Sequence, residues 1–303
     1  MKLEIVNLSF PTIFFKKIKN RMVWIFRQFQ IVLLRLYCHI KFKNSILEFN
    51  EFTWDMVRSL PKSYYYYSNN LPFRVYHKPK LKSLYYFSKL NFSKNFFNTN
   101  NDIDTYNYER PKFTTCKWLP PPLKQDFSGH FNFNKPTIVI QNKYTLEFSG
   151  EGVFNFFDIE FLDEFFNLFK NKYQIIYIRP KSGTDRYYED KNDILDFKDY
   201  DLIKDKHREV LTIYDLIKDE DDFNETQFKI HATSENHLSV SGGNACIAAY
   251  FGGELIIYDS PHGIGAGRGV WKSGSWLRLL SNSKVIGMND YKSILNYSKE
   301  NWL

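Results

Sequence analysis

The sequence is short of the residues that staple or ligate. Its three cysteines, Cys38, Cys116 and Cys246, are odd in number, widely spaced and without a CxxC pair. That excludes a disulfide framework and a zinc ribbon and points to a reduced, intracellular chain in which Cys246, inside an apolar helix, is a small buried thiol. Glycine is scarce as well, with 14 in 303 residues, so a cluster of glycines marks a place where the backbone must turn or let something approach. No GxxxxGK[ST] occurs, which excludes a P-loop nucleotidase. No long apolar run is unbroken: residues 22–40 are interrupted by Arg27, Gln28, Gln30, Arg35 and His39, and a spanning helix there would carry two arginines through hydrocarbon. A signal peptide is not expected either, because no small-residue cleavage site follows the apolar stretch.

Acidic residues are missing where they would matter most. Residues 6–47 contain eight Lys and Arg and no Asp or Glu. Residues 1–130 carry 21 basic against 8 acidic side chains, a balance of +13, while residues 131–303 carry 20 against 26. A basic half therefore precedes a mildly acidic one, and the basic half calls for an anionic surface or ligand. Its helix, with Trp24, Ile25, Phe26, Phe29, Leu33, Leu34 and Tyr37, either lies at a membrane interface or buries its apolar side in the protein. Lysines interleaved with aromatics over residues 80–89 are compatible with stacking on nucleic acid, but no recognition motif accompanies them. Residues 54–60 read as a short helix, residues 63–67 and 73–77 as strands, and residues 117–136, with Pro120, Pro121 and Pro122, as a connection between domains.

Beyond that connection the sequence reads as alternating strands and helices. Thr137–Gln141, Gln174–Ile178 and residues 210–213, 238–241, 255–258 and Lys284–Met288 are strand-like apolar runs. Asp158 caps a helix with Leu162, Phe165, Phe166 and Phe169 on one face. Asp215 leads a helical turn, Asn224 with Gln227 suggests a capping box, and Asp290 opens a terminal helix. The fold class expected is α/β: a Rossmann-like parallel sheet with helices on both faces over residues 136–303, preceded by a basic, aromatic-rich α/β or α+β domain over residues 1–130.

In such sheets ligands bind beyond the carboxyl ends of the strands. The first strand of the second half ends in Gln141, Asn142, Lys143 and Tyr144, the next in Arg179, Pro180 and Lys181. A later one ends in Ser241, Gly242, Gly243 and Asn244 and feeds a helix, a turn with free backbone N–H groups that suits a phosphate or a sugar hydroxyl. Lys143 and Arg179 are placed to pair with phosphate oxygens. Gly252 and Gly253 stop that helix. The glycines of residues 262–269 lack the GxGxxG spacing and read as a loop beside the site. The acidic run Asp199, Tyr200, Asp201 reads as charged surface and no metal site is expected.

The order of elements in residues 136–303 resembles the nucleotide-sugar-binding half of glycosyltransferases of the GT-B fold. The stretches KPTIVIQNKY, KYQIIYIRP and HLSVSGGNACIAAYFGGELIIY are similar to those of proteins from bacterial surface-polysaccharide gene clusters. The resemblance implies a glycosyltransferase that moves a sugar from a nucleotide-diphosphate donor to a glycan or lipid-linked acceptor, without a metal and with no cofactor beyond the donor. It implies a positive side chain and a helix-opening turn at the diphosphate, here Arg179 and the turn of Ser241, Gly242, Gly243 and Asn244. Asn142 and Lys143 complete the expected donor-binding set, and Glu147, Glu151 and His237 are the candidates for a general base. Such a protein is expected in the cytoplasm, peripheral on the inner face of the membrane. The alternatives are a noncatalytic nucleotide- or glycan-binding protein that docks on membranes or partners, and a nucleic-acid-binding protein.

Overall fold

The computed structural model describes residues 45–47, 52–77, 81–89, 91–93, 110–115, 117–146, 152–181, 194–218, 222–262 and 269–303, together with residues 22, 29 and 33. The expected basic helix falls almost entirely outside the described residues, as do Glu147, Glu151 and residues 263–268.

In the first half, β1 (Ser45–Leu47), β2 (Arg74–His77) and β3 (Asn91–Ser93) form a parallel sheet in that order. The chain crosses from β1 to β2 through α1 (Phe52–Trp54), a π-helical turn (Asp55–Ser59) and α2 (Leu60–Ser68). Residues 63–67 are thus helical, not the strand that their tyrosines suggest. Pro61 lies in the first turn, Ser63 Oγ donates to the Ser59 carbonyl at 2.8 Å, and Leu60, Ser63 and Tyr66 are buried. Tertiary burial overrides the β preference of aromatic residues, which is weak and context-dependent.

The expected interdomain connection is packed against the protein. Trp118 Nε1 donates to the Val57 carbonyl at 2.8 Å and the Leu119 N–H to Pro61 at 3.1 Å. After them α3 (Leu123–Asp126) sends Leu123 and Phe127 into the core, where Phe127 meets Phe228 edge-on at 5.3 Å.

The second half is a six-stranded parallel sheet of β4 (Thr137–Gln141), β5 (Gln174–Ile178), β6 (Leu211–Thr212), β7 (Asn236–Val240), β8 (Glu254–Tyr258) and β9 (Lys284–Met288). The spatial order is β6-β5-β4-β7-β8-β9. On one face lie α4 (Ile159–Phe169), α5 (Asp199–Lys206) and, after β9, the terminal helix Tyr291–Trp302; their shared cluster takes in Ile140, Tyr177, Leu238 and Ile256. Asp158 accepts the Phe161 N–H at 2.8 Å and aims Phe161, Leu162, Phe165, Phe166 and Phe169 at the sheet. Each fully buried Phe contributes about 2–3 kcal/mol of transfer free energy.

The other face carries α6 (Ile213–Leu216), α7 (Phe223–His231) and α8 (Gly243–Ala249). Numbered in the same series, the terminal helix is α9. Asp222, not Asn224, caps α7, accepting the Asn224 N–H at 2.6 Å. Thr212 and Asp215 form the capping box that opens α6. Over β8 and β9 this face is closed by the first half. Phe52, Met56, Leu60, Val75 and Leu84 share one cluster with Ala248, Phe251, Leu255, Ile257 and Val285. Core packing thus runs through the boundary expected near residues 130–136.

Gly252 and Gly253 end α8 with φ of 75° and 68°, as expected of left-handed stops. At Gly253 a Cβ would stand 2.2 Å from the Glu235 carbonyl oxygen, which accepts the Glu254 N–H at 2.7 Å. Neither partner can withdraw, because both hold the entry into β7 and β8. Gly253→Ala is expected to lower stability by about 2 kcal/mol or more, read as a shift of the denaturant midpoint at unchanged slope.

Candidate functional site at the carboxyl edge of the sheet

The chain starts the sheet at β4, builds outward through β5 and β6, then returns to β7 on the other side of β4. The loops leaving β4 and β7 therefore run to opposite faces of the sheet at a topological switch point, and the crevice between two such loops at the carboxyl edge is where open α/β sheets bind ligands. Lys143 leaves β4 on one side of this crevice and Gly242 leaves β7 on the other. The Lys143 Nζ stands 3.6 Å from where a Cβ on Gly242 would lie, and Gly242 holds φ 125° and ψ −158°, a conformation essentially confined to glycine. Asn244 Nδ2 donates to the Asn142 carbonyl at 3.3 Å and ties the two loops together. Lys143, Gly242 and Asn244 are half-buried.

The other expected donor-binding residues serve the scaffold. The Asn142 side chain is buried and spent: Nδ2 donates to the Phe157 carbonyl at 3.0 Å and to Tyr177 Oη at 2.9 Å, and Oδ1 accepts the Lys143 and Phe157 N–H groups, each at 2.9 Å. Ser241 is buried and extends the sheet through its N–H to the Tyr258 carbonyl, 2.8 Å. Gly243 lies beneath the first half, where its Cβ would meet Phe52 Cδ1 at 2.8 Å and Thr53 Oγ1 at 3.4 Å. The first residue of the seven-residue α8 is thus a packing contact with α1 on its side-chain face.

Arg179 is the larger correction. It is 2% exposed and forms a two-pronged pair with Asp199, itself 0% exposed: Nε meets Oδ2, and Nη2 donates to Oδ1 at 2.7 Å. Nη1 donates to the Pro180 carbonyl at 3.0 Å, and the guanidinium lies over the Tyr200 ring at 4.9 Å. Tyr177 Oη donates to the same carboxylate at 2.5 Å. Burial alone would make Arg179 less basic, but the hydrogen bond and charge of Asp199 prevail and hold it above its ordinary value. A guanidinium so occupied does not reach a diphosphate at the crevice. Asp199, read in the sequence as charged surface, is the buried partner that the sequence did not reveal, 20 positions away.

What does extend from the end of β5 is Lys181. Its Nζ lies between Tyr200 and Tyr214, 4.3 and 4.5 Å from the ring centroids, and its N–H donates to Tyr214 Oη at 2.8 Å. Lys181 was visible in the strand-end motif, whereas the two tyrosines come from separate helices with no common pattern.

His237 is also placed elsewhere. It is the second residue of β7, at the amino end of the sheet, and is fully buried. Its Nδ1 is 3.2 Å from Nδ1 of His231, whose ring stacks on Phe251 at 5.3 Å. Alongside, Gln141 Nε2 donates to Gln227 Oε1 at 3.1 Å and Gln227 Nε2 to Asn224 Oδ1 at 2.8 Å. These groups form a polar seam under α7. Burial holds both imidazoles neutral: His237 is pushed down to about 3, with Lys124 adding to the effect, and His231 falls well below its usual value. A base at the wrong end of the sheet, unable to accept a proton near pH 7, takes no part at the crevice. Among the described residues no group of three or more His, Cys, Asp or Glu side chains is placed to hold a metal ion.

Removing one partner of a buried pair strands the other charge, so Asp199→Asn is expected to destabilise the fold by about 3 kcal/mol or more in a denaturant titration. The histidine seam makes a second forecast. The folded protein holds both rings neutral while unfolded histidine binds a proton near pH 6.5, so stability is lost as pH falls from about 6.5 toward 3. The slope is expected to reach about 1.4 kcal/mol per pH unit for each proton, and His231→Phe should reduce it in melts taken between pH 7 and 4.

No protein-family model matches this sequence, and no curated protein sequence matches it. Among solved structures the chain is similar to the glycosyl transferase family 9 protein of Veillonella parvula, at a TM-score of 0.48 and 7% identity, with 86% of this chain and 90% of that one covered.

Proposed function

We propose that this protein is a glycosyltransferase that moves a sugar from a nucleotide-diphosphate donor to a glycan or lipid-linked acceptor, in the synthesis of a surface polysaccharide. The observation that carries the reading is the topological switch point between β4 and β7, where the Lys143 ammonium lies against Gly242. The resemblance of residues 136–303 to nucleotide-sugar-binding halves supplies the ligand class. The Lys143 ammonium neutralises the departing diphosphate, and Gly242, with no side chain, lets it approach the backbone. Charge stabilisation by the protein replaces a metal ion in this scheme. If the reaction inverts the sugar, Glu147 and Glu151, four and eight positions beyond Lys143 in the sequence, are the candidates for the base. The enzyme works in the cytoplasm, peripheral on the inner membrane face, with its basic half toward the lipid.

A second reading, a nucleotide- or glycan-binding protein without turnover, draws support from the withdrawal of Arg179 and His237 from the edge. The two readings share a ligand and differ in chemistry. Calorimetry with nucleoside diphosphates and their sugars, followed by donor-hydrolysis assays, separates them. Lys143→Ala is expected to weaken donor binding by about 1.5–3 kcal/mol with an unchanged melting temperature. Equal affinity in parent and variant would falsify the site.

A further inference from the structure

The large apolar side chains left in solvent are segregated. Among the described residues, Met22, Phe29, Leu33, Tyr67, Leu71, Tyr86 and Leu119 are exposed in the half that carries +13, against Leu279 and Leu303 in the acidic half. Two of them share one ring, and a third follows four positions after the first. Tyr67, at 48% exposure, packs on Phe87 at 5.3 Å; Tyr86, at 39%, meets the same ring at 5.2 Å; and Leu71, at 38%, follows α2, its N–H bonded to Tyr66. Lys62, Lys82 and Lys89, nearby in the sequence, are exposed as well. Over residues 52–93 the sequence offers seven Lys and Arg and a single acid, Asp55, which is buried; one exposed acid from outside that stretch, Asp126, accepts the Tyr86 hydroxyl at the edge of the surface.

We propose that the surface of Tyr67, Leu71 and Tyr86 docks on an anionic lipid bilayer. The inference rests on the reading of the basic half as the part turned toward the membrane, and it adds a contact outside the basic helix on which that reading began. Tyrosine and leucine beside lysine are the residues that settle at a bilayer interface, the rings at headgroup depth and the ammonium groups on lipid phosphates. Nucleic acid is less well matched. Tyr86 meets Phe87 and Phe127 edge-on, at 83° and 77°, and an aliphatic Leu71 offers no stacking face to a base. Met22, Phe29 and Leu33, each in helical conformation, are further exposed apolar residues of the same half.

The test uses the full chain and vesicles of phosphatidylcholine with or without 30% phosphatidylglycerol, a composition chosen for the assay. Co-sedimentation is expected with the anionic vesicles, weakening as salt rises. The double variant Tyr67→Ser and Leu71→Ser is expected to lose about tenfold in partitioning, from the lost burial of two half-exposed side chains. Leu279→Ser, in the acidic half, should leave it unchanged. Melting temperature and nucleotide-sugar affinity, both measured without vesicles, should match the parent, which keeps this test separate from that of the proposed transfer. Undiminished vesicle binding by the double variant, binding that ignores lipid charge, or sedimentation as a dimer through this surface would each overturn the proposal.

Discussion

A parallel sheet has to be covered on both faces, and in this protein the need is met unequally. One face receives α4, α5 and α9 in full measure. The other has α6 and α7 over β5 and β4, then the short α8, and is completed over β8 and β9 by the first half. The position of α1 against α8 follows from this, with Tyr250 Oη donating to the Met56 carbonyl across the junction. So does the absence of a side chain at Gly243, which the Phe52 ring fills from above. The two halves are therefore parts of one packed body, with the crevice at its upper edge.

That arrangement decides what the polar residues at the strand ends do. A charge drawn into the body has to be matched, and Arg179 with Asp199 shows the outcome: a buried, two-pronged pair that fixes α5 against β5. Asn142 gives its hydrogen-bonding capacity to Phe157 and Tyr177 and fixes the entry into α4. Lys143, one residue farther along, is held by these contacts at the crevice rim. The residues that looked most like ligand contacts form the frame on which Lys143 stands.

Sequence reading fared best where the cause is local. β4, β5 and β9 have the bounds their apolar runs suggested, and Asp158 and Asp290 cap the helices they precede through bonds that span three residues. It fared worst where the cause is distant. The partner of Arg179 lies 20 positions away in the sequence, so nothing around residue 179 distinguishes a buried guanidinium from an exposed one. The tyrosines of α2 favour a strand by composition and a helix only once Phe73 and Phe87 exist to pack against. Gly243 was read as room for a ligand because the sequence gives no sign that Phe52 comes to lie on it. Lys143 was legible because its position depends on strand order and strand ends alone.

The shared core also sets an order of events during synthesis. Phe52, Leu60, Val75 and Leu84 find their partners on residues 228–285, more than a hundred positions later in the chain. At ordinary translation speed the first half waits on the order of ten seconds before those partners leave the ribosome. Throughout that interval it is a strongly basic polypeptide whose apolar side chains have only part of their core, beside a large polyanion. Whatever shields it then, a chaperone or the bilayer itself, governs how much protein reaches the native state, independently of how stable that state is.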